Sequence, residues 1–272
     1  MTEAVTEETI KDDIRRLLAR PDVRRPLARL AAALPSGARA CLFGGAIRNL
    51  IIVQVHGSSP ETRDLDFVIA GLPEDFRLPR CLPRRERVVT AMGGVRWQPP
   101  DSSFSFDLCR LADFVVFRLF PMPPTLENLL TNIDFSANAV IYDPAEDRLY
   151  ERGCINAVYA RRFDFNTLRL CDKLISTYRI LVLSHKLEFT LSERVFHYLR
   201  ATADIDLLIS LKRALASGVG KDRARAILAY YRRVRSFRDY AAYGAAEASG
   251  ATRPESGCKN GSRASDPNAS NR

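Results

Sequence analysis

The hydrophobic pattern of this 272-residue chain changes near residue 150, and this change restricts the fold more than any other feature. Before it, short apolar runs such as DLDFVIA (64–70) and ANAVIYD (137–143) are separated by turn residues, which is typical of β-strands. After it, apolar residues recur at helical spacing. The pattern therefore predicts an α+β unit followed by an all-α unit.

The first half is predicted to contain a small mixed β-sheet flanked by helices. Strands are predicted at 38–43, 64–70, 88–90, 95–98, 105–111 and 137–143, and helices within 6–34, at 46–53 and at 126–131. Pro21 and Pro26 are expected to break or restart the first helical segment.

The second half is predicted to be helical, and the chain is expected to end in a disordered tail. Helices are predicted at 168–187, 193–201, 205–217 and 222–240. From Gly244 the chain is rich in Gly, Ser and Asn and has almost no large apolar residues, which is typical of disorder. The predicted organisation is an N-terminal helical segment (1–35), an α+β unit (36–150), a basic all-α unit (151–243) and a tail (244–272).

The net charge of +9 is concentrated in the second half. Residues 151–243 contain 18 Lys and Arg against 9 Asp and Glu, whereas residues 1–150 contain 19 against 20. Such an asymmetry predicts a surface for a polyanion such as RNA, and a solvated helical surface is the alternative.

One basic stretch, AYYRRVRSFRDYAAYG (229–244), mixes arginines with aromatic residues. Arg232, Arg233 and Arg235 are candidates for contacts with RNA phosphates, while the aromatic side chains could stack on unpaired bases. An amphipathic helix with its tyrosines in the core is the alternative.

Composition argues against a membrane protein and against a zinc protein. No apolar run approaches the roughly 20 residues that a membrane span needs. The N-terminus starts acidic and lacks an apolar signal core, so we expect no secretory signal and a cytoplasmic location. The six cysteines include no C-x-x-C pair, which predicts reduced thiols.

Two adjacent glycines, Gly44 and Gly45, end a predicted strand directly before a predicted helix. Helix N-termini present free N–H groups and partial positive charge, and glycine lets a phosphate approach the backbone. Arg48, in the first turn, could reach the same anion. The glycines therefore predict a phosphate site, and a tight turn that packs well is the alternative.

Asp64 and Asp66 form a D-x-D pair on a predicted strand, so both side chains should project from one face. Two neighbouring carboxylates favour a cation between them, and two Mg²⁺ ions bound there could align an attacking hydroxyl with a phosphoryl group. Asp107, in SFSFDLCRL (103–111), would complete a three-carboxylate metal site if its strand lies beside the first. A strand-end carboxylate facing water is the alternative for Asp107. Strand, Gly-Gly, helix and D-x-D strand together are a nucleotidyl-transfer layout.

Three stretches resemble the head domain of poly(A) polymerases and CCA-adding tRNA nucleotidyltransferases, a branch of the DNA polymerase β-like nucleotidyltransferases. They are LFGGAIRNLII…TRDLDFVIA (42–70), NIDFSANAVIYDP (132–144) and TYRILVLSHKLEFTLS (177–192). The resemblance covers roughly residues 38–190. It implies transfer of a nucleoside monophosphate from an NTP to an RNA 3′ end, with tRNA as one candidate acceptor.

The resemblance also implies residue roles. Asp64 and Asp66 would bind the metal, and the triphosphate would be held by Gly44, Gly45 and Arg48. Asp134 and Asn138 would lie near the sugar and phosphates, and Arg179 would help read the incoming base.

Several positions depart from the family pattern. Asn49 replaces an aspartate, Asn132 and Ile133 replace paired arginines, and Val182 replaces a second helix arginine. The metal-binding carboxylates are kept, while most of the groups that select CTP or ATP are missing. Two alternatives therefore stay open: a nucleotidyltransferase that modifies a protein or small molecule, and a non-catalytic RNA-binding member of the family.

Overall fold

A mixed seven-stranded sheet is the centre of the first half. The computed structural model describes residues 5–90, 93–170, 172–202 and 204–250. The strands are β1 (Arg39–Phe43), β2 (Asp64–Ala70), β3 (Arg87–Val89), β4 (Val95–Trp97), β5 (Ser105–Arg110), β6 (Val140–Asp143) and β7 (Arg148–Glu151). Their order is β3-β4-β5-β2-β1-β6-β7, and β2 and β5 are parallel while the other neighbours are antiparallel.

Helices flank this sheet and make up most of the second half. They are α1 (Glu7–Ala19), α2 (Pro21–Ala33), α3 (Gly45–His56), α4 (Val115–Leu119), α5 (Leu126–Asn132), α6 (Cys154–Tyr159), α7 (Lys173–Leu187), α8 (Glu193–Ala201), α9 (Ile205–Val219), α10 (Lys221–Ser236) and α11 (Tyr240–Ala248). A two-stranded parallel sheet joins β8 (Arg162–Phe163) to β9 (Thr190–Leu191). The predicted α+β fold with a helical second half is confirmed, and the short β8–β9 sheet shows that this half is not purely α-helical. Within the described residues, no helix combines the length and apolar character that crossing a bilayer requires.

The two faces of β2 explain why its carboxylates stay accessible. Leu65 and Phe67 point into the main apolar cluster, together with side chains of β4 and β5. Val68 and Ala70, on the opposite face, are covered by a smaller cluster to which α5 contributes. Asp64 and Asp66 share that opposite face but lie at the start of the strand, where Asp64 is exposed and Asp66 is half-buried.

The main apolar cluster continues from the sheet into the helical half. It includes Ile14 of α1, Ile47 of α3, Ile180 of α7 and Tyr230 of α10. The predicted boundary at residue 150 therefore remains an interpretation of composition, because one buried cluster extends across it.

Pro26 and the predicted tail are two places where the structure differs from the sequence-based expectation. Pro21 starts α2, but Pro26 lies inside that helix without breaking it, and its ring is buried. The predicted tail begins with structure: α11 extends to Ala248, because Asp239 caps its N-terminus and Tyr243 is fully buried. Residues 251–272 of the predicted tail lie outside the described residues.

Candidate active site

Parallel pairing of β2 with β5 brings the three predicted carboxylates onto one face. Asp66 lies directly beside Asp107, and Asp64 lies beside Ser105. The Ser105 hydroxyl donates a hydrogen bond to Asp64 Oδ1. Residues two apart on a strand share a face, so Asp64, Asp66 and Asp107 form one acidic face.

The pKa of Asp66 reflects the negative charges that lie close together on this acidic face. Burial, followed by the charges of Asp107 and Asp64, raises the pKa of Asp66 to about 6, while Arg179 and Arg48 act in the opposite direction. Negative charges packed this closely favour a bound cation. Carboxylate oxygens are the kind of ligand that Mg²⁺ takes together with phosphate oxygens, so Asp64 and Asp66 offer suitable donor atoms for a divalent ion.

Arg96 of β4 is a member of this site that the sequence did not indicate. It lies directly across from Asp107 and binds both of its carboxylate oxygens, with Nε–Oδ1 and Nη2–Oδ2 distances of 2.8 and 2.6 Å. In the described part of the chain, no group of three or more His, Cys, Asp or Glu is arranged to hold a metal. Metal binding by Asp64, Asp66 and Asp107 therefore stays a prediction.

The two glycines serve different purposes. Gly44 has φ +71° and ψ −122°, a conformation that strongly favours glycine, and its N–H donates to Val140 O at 2.9 Å. Gly45 has no such restriction, but a Cβ built on it would lie 3.4 Å from Arg48 Nη2. The turn requires Gly44, whereas Gly45 leaves open the space beside the Arg48 guanidinium.

Arg48 is a buried cation whose hydrogen-bond acceptors are neutral. Its side chain is 3% exposed, and Asn49 Oδ1 accepts from its Nε and Nη2 at 3.1 and 2.9 Å. Its Nη1 donates to Asn138 Oδ1. Asn49 is itself held by donating to Pro60 O and Thr62 Oγ1. Among the described residues, the hydrogen bonds of this guanidinium all go to amide oxygens, and burial lowers the pKa of Arg48 to about 10.

The uncapped start of α3 adds to this positive environment. Within the described residues no side chain caps its first turn, so backbone N–H groups there remain available. An anion bound beside Gly45 could meet these N–H groups and the Arg48 guanidinium together. The arrangement suits a phosphate group.

Asp134 and Arg179 form an ion pair beside the acidic face. Arg179 Nη2 lies 3.2 Å from Asp134 Oδ1, and its Nε binds the other carboxylate oxygen. The guanidinium also lies 5.9 Å from the centroid of the Phe135 ring. Arg179 remains 44% exposed, so a ligand could still contact it. The structure thus brings the predicted sugar-side and base-side residues together.

Lys186 is a second cation that sequence reasoning missed. It lies seven residues after Arg179 on α7, which places both on the same face of the helix, about 10 Å apart. Burial, followed by the charges of Arg48 and Arg223, lowers the pKa of Lys186, while Asp64 and Asp66 act in the opposite direction. The spacing from Arg179 on a predicted helix is the signal that could have identified it.

The arginines predicted to bind RNA lie on α10. Arg232 and Arg233 are exposed, whereas Arg235 is half-buried and lies 5.7 Å from the centroid of the Tyr231 ring. Tyr230 and Tyr231 are buried in the core. The alternative prediction of an amphipathic helix with core tyrosines is therefore confirmed for these two tyrosines, and RNA contact by the arginines stays a prediction.

Solved structures share this fold, although no protein-family model and no curated protein matches the chain. A tRNA-processing enzyme in an apo form superposes with a TM-score of 0.54 at 20% identity, over 86% of this chain and 59% of that one. The Bacillus stearothermophilus CCA-adding enzyme in complex with CTP superposes with a TM-score of 0.52 at 18% identity, over 80% of this chain and 58% of that enzyme. The Thermotoga maritima CCA-adding enzyme complexed with tRNA superposes with a TM-score of 0.52 at 14% identity, over 79% of this chain and 53% of that enzyme.

This chain thus spans 53–59% of the length of these enzymes. At these identities the likeness concerns the fold, and at that level the predicted resemblance is confirmed.

Proposed function

We propose that this protein is a metal-dependent nucleotidyltransferase that transfers a nucleoside monophosphate from an NTP to the 3′ end of an RNA, with a tRNA-like acceptor. The observation that carries the proposal is the buried Arg48 guanidinium, which is bonded to amide oxygens and lies near the carboxylates of β2. A phosphate would supply an anionic hydrogen-bond acceptor for Arg48, and the metal ion bound to that phosphate would be the cation that Asp64 and Asp66 favour.

In the proposed complex, the triphosphate lies at the start of α3. The N–H groups of the first turn and Arg48 orient it and neutralise part of its charge. Asp64 and Asp66 would hold the divalent cation, which when bound polarises the α-phosphate. In the transfer step the acceptor hydroxyl would lose its proton to solvent, its oxygen would bond to the α-phosphorus, and the bond from the α-phosphorus to the bridging oxygen would break, so that pyrophosphate leaves.

RNA is the preferred acceptor class because the second half of the chain is strongly basic. The exposed Arg232 and Arg233 would contact the phosphate backbone, with Arg235 beside them. The structural neighbours solved with CTP and with tRNA are consistent with these ligand classes.

The choice of nucleotide is proposed to be less strict than in enzymes with a full set of base-reading arginines. Val182, at the position of the second helix arginine in the family that the sequence resembles, packs against the main apolar cluster. This side chain offers no guanidinium to a base. Transfer from more than one NTP is therefore expected.

A labelling experiment tests the proposal. Purified protein is incubated with Mg²⁺, total RNA and each α-labelled NTP in turn. Label on tRNA-sized RNA is the expected result, whereas label on protein would support a different acceptor. An absence of label despite RNA binding would support the non-catalytic alternative.

Asp66→Asn is the decisive variant for the catalytic assignment. The change removes a metal ligand and also one of three crowded negative charges, so label transfer should be lost while the melting temperature stays at or above that of wild type. Asp75→Asn, at an exposed position, removes the same charge and should leave transfer intact. Full activity of Asp66→Asn would refute the metal-ligand role.

A further inference from the structure

Arg96 is the one side chain that binds both oxygens of an acidic-face carboxylate within the described residues. Its two bonds to Asp107 are 2.8 and 2.6 Å long, and the antiparallel register of β4 and β5 places the two residues directly opposite each other. Asp64 and Asp66 also raise the pKa of Arg96, after the larger effect of Asp107, so its charge acts on all three carboxylates.

We propose that Arg96 takes the place of one of the two expected divalent cations, so that the acidic face binds a single divalent ion through Asp64 and Asp66. This inference rests on the proposed function. A bidentate guanidinium–carboxylate pair uses both oxygens of Asp107 and is among the stronger charge-assisted contacts. Asp107 is thereby withdrawn from metal coordination.

The charges of the site support this arrangement. The three negative charges of the acidic-face carboxylates are balanced by the two positive charges of one divalent ion and the single positive charge of the Arg96 guanidinium. A second divalent ion beside Asp107 would face the Arg96 charge at short range, and like charges that close repel strongly.

An ordinary surface salt bridge would behave differently. Arg96 is 47% exposed, and exposed ion pairs contribute little to stability. If the Arg96–Asp107 pair were of that kind, a divalent ion would displace Arg96, and Asp107 would become a ligand. The two cases therefore differ in the number of ions bound.

The test counts Mn²⁺ ions bound by the full chain without nucleotide, from the electron paramagnetic resonance signal of free Mn²⁺. Sites are assigned to the acidic face when Asp66→Asn removes them. We expect one such site in wild type. In Arg96→Gln we expect a second site, bound at least about tenfold more tightly than any second site of wild type, because a repelling charge is removed.

Two further variants test whether the change in the number of bound Mn²⁺ ions depends on the Arg96–Asp107 pair. The double variant Arg96→Gln/Asp107→Asn should return to one ion, because the second ion would need Asp107. Arg148→Gln removes the same charge from β7, at the opposite edge of the sheet, and should bind one ion like wild type.

Two acidic-face ions in wild type would overturn the inference without any Arg96 variant. So would an Arg96→Gln protein, shown to be folded by circular dichroism, that binds Mn²⁺ with the number and affinity of wild type. If Asp66→Asn leaves Mn²⁺ binding unchanged, the metal assignment in the proposed function fails as well. Loss of binding in Asp66→Asn with no effect of Arg96→Gln overturns the role of Arg96 alone.

Discussion

At the scale of single residues, Arg48 is the side chain whose environment is most unusual. Burying a guanidinium among neutral amide oxygens costs free energy, because the hydrogen bonds compensate only part of the lost hydration. Asn49 is uncharged and keeps Arg48 in place through two hydrogen bonds without neutralising it. Because its hydrogen bonds within the described residues go to amide oxygens, this guanidinium can pair with an anionic ligand.

We expect Arg48→Gln to weaken NTP binding by about tenfold to a hundredfold, since a hydrogen bond to a charged group contributes roughly 1.5–3 kcal/mol. The melting temperature should not fall much, because the variant removes a buried charge whose hydrogen-bond acceptors in the described residues are neutral. Nucleotide titration and thermal melting measure the two effects. The exposed Arg25→Gln is the charge-matched control. A large loss of stability with unchanged NTP affinity would assign Arg48 a structural role.

The adjacent glycines allow a matched comparison at the same scale. Gly44→Ala should destabilise the fold by about 1–3 kcal/mol, because a side chain is strained at its positive φ. Gly45→Ala should fold normally but bind NTP more weakly, since its methyl group would lie against the Arg48 guanidinium. Denaturant unfolding and nucleotide titration distinguish them. Equal loss of stability in both variants would mean that both glycines serve packing.

At the scale of elements, helix α7 connects the helical half to the site. Arg179 and Lys186 extend from one face of this helix, while Thr177, Ile180 and Leu187 are buried. Packing of the helix against the core therefore determines where both cations lie. This makes α7 a second source of positive charge, close enough to Arg48 for its charge to affect Lys186.

Lys186→Gln should weaken NTP binding by up to about tenfold, because a half-buried ammonium near Arg48 would contact the phosphates. The effect should shrink as salt is added. Lys173→Gln, at the exposed start of the same helix, is the matched control and should bind like wild type. Nucleotide titration at two salt concentrations is the measurement. Equal affinity of the two variants at low salt would remove Lys186 from the site.

At the scale of the whole molecule, the distribution of charge separates the two proposed ligands. The first 150 residues are close to neutral, and the basic excess lies in residues 151–243. RNA binding should therefore depend steeply on salt, because each phosphate contact contributes a log–log slope of roughly −0.7 to −0.9. Nucleotide binding should depend on salt less, since backbone N–H groups and the metal contribute to it.

The double variant Arg232→Gln/Arg233→Gln should lower RNA affinity and flatten the salt slope by about 1.5, while NTP affinity stays unchanged. Replacing Arg235 as well should add less, because Arg235 is half-buried over Tyr231. Arg24→Gln/Arg25→Gln alters two exposed neighbouring arginines of α2 and is the matched control. Filter binding of tRNA at several salt concentrations gives the slopes. Identical slopes for both double variants would argue against α10 as the RNA surface.

Much of this protein could be predicted from local sequence patterns. Periodicity located most strands and helices, and the i, i+2 spacing placed Asp64 and Asp66 on one face. The glycine pair predicted the turn between β1 and α3. These features depend on neighbours within a few residues of each other, and the alternation of apolar and polar side chains encodes such neighbours directly.

Contacts between distant segments were decided only by the tertiary structure. Arg48 and Asn138 are 90 residues apart in the chain, and Arg96 meets Asp107 because β5 lies between β2 and β4. The burial of Tyr230 and Tyr231 likewise depends on which face of α10 packs inward. Strand order and helix docking follow from the packing of the whole core, which no local pattern specifies. The sequence alone therefore determined that the carboxylates, the glycine pair and Arg48 were candidates, whereas the tertiary structure added Arg96 and Lys186 and decided which of these residues meet.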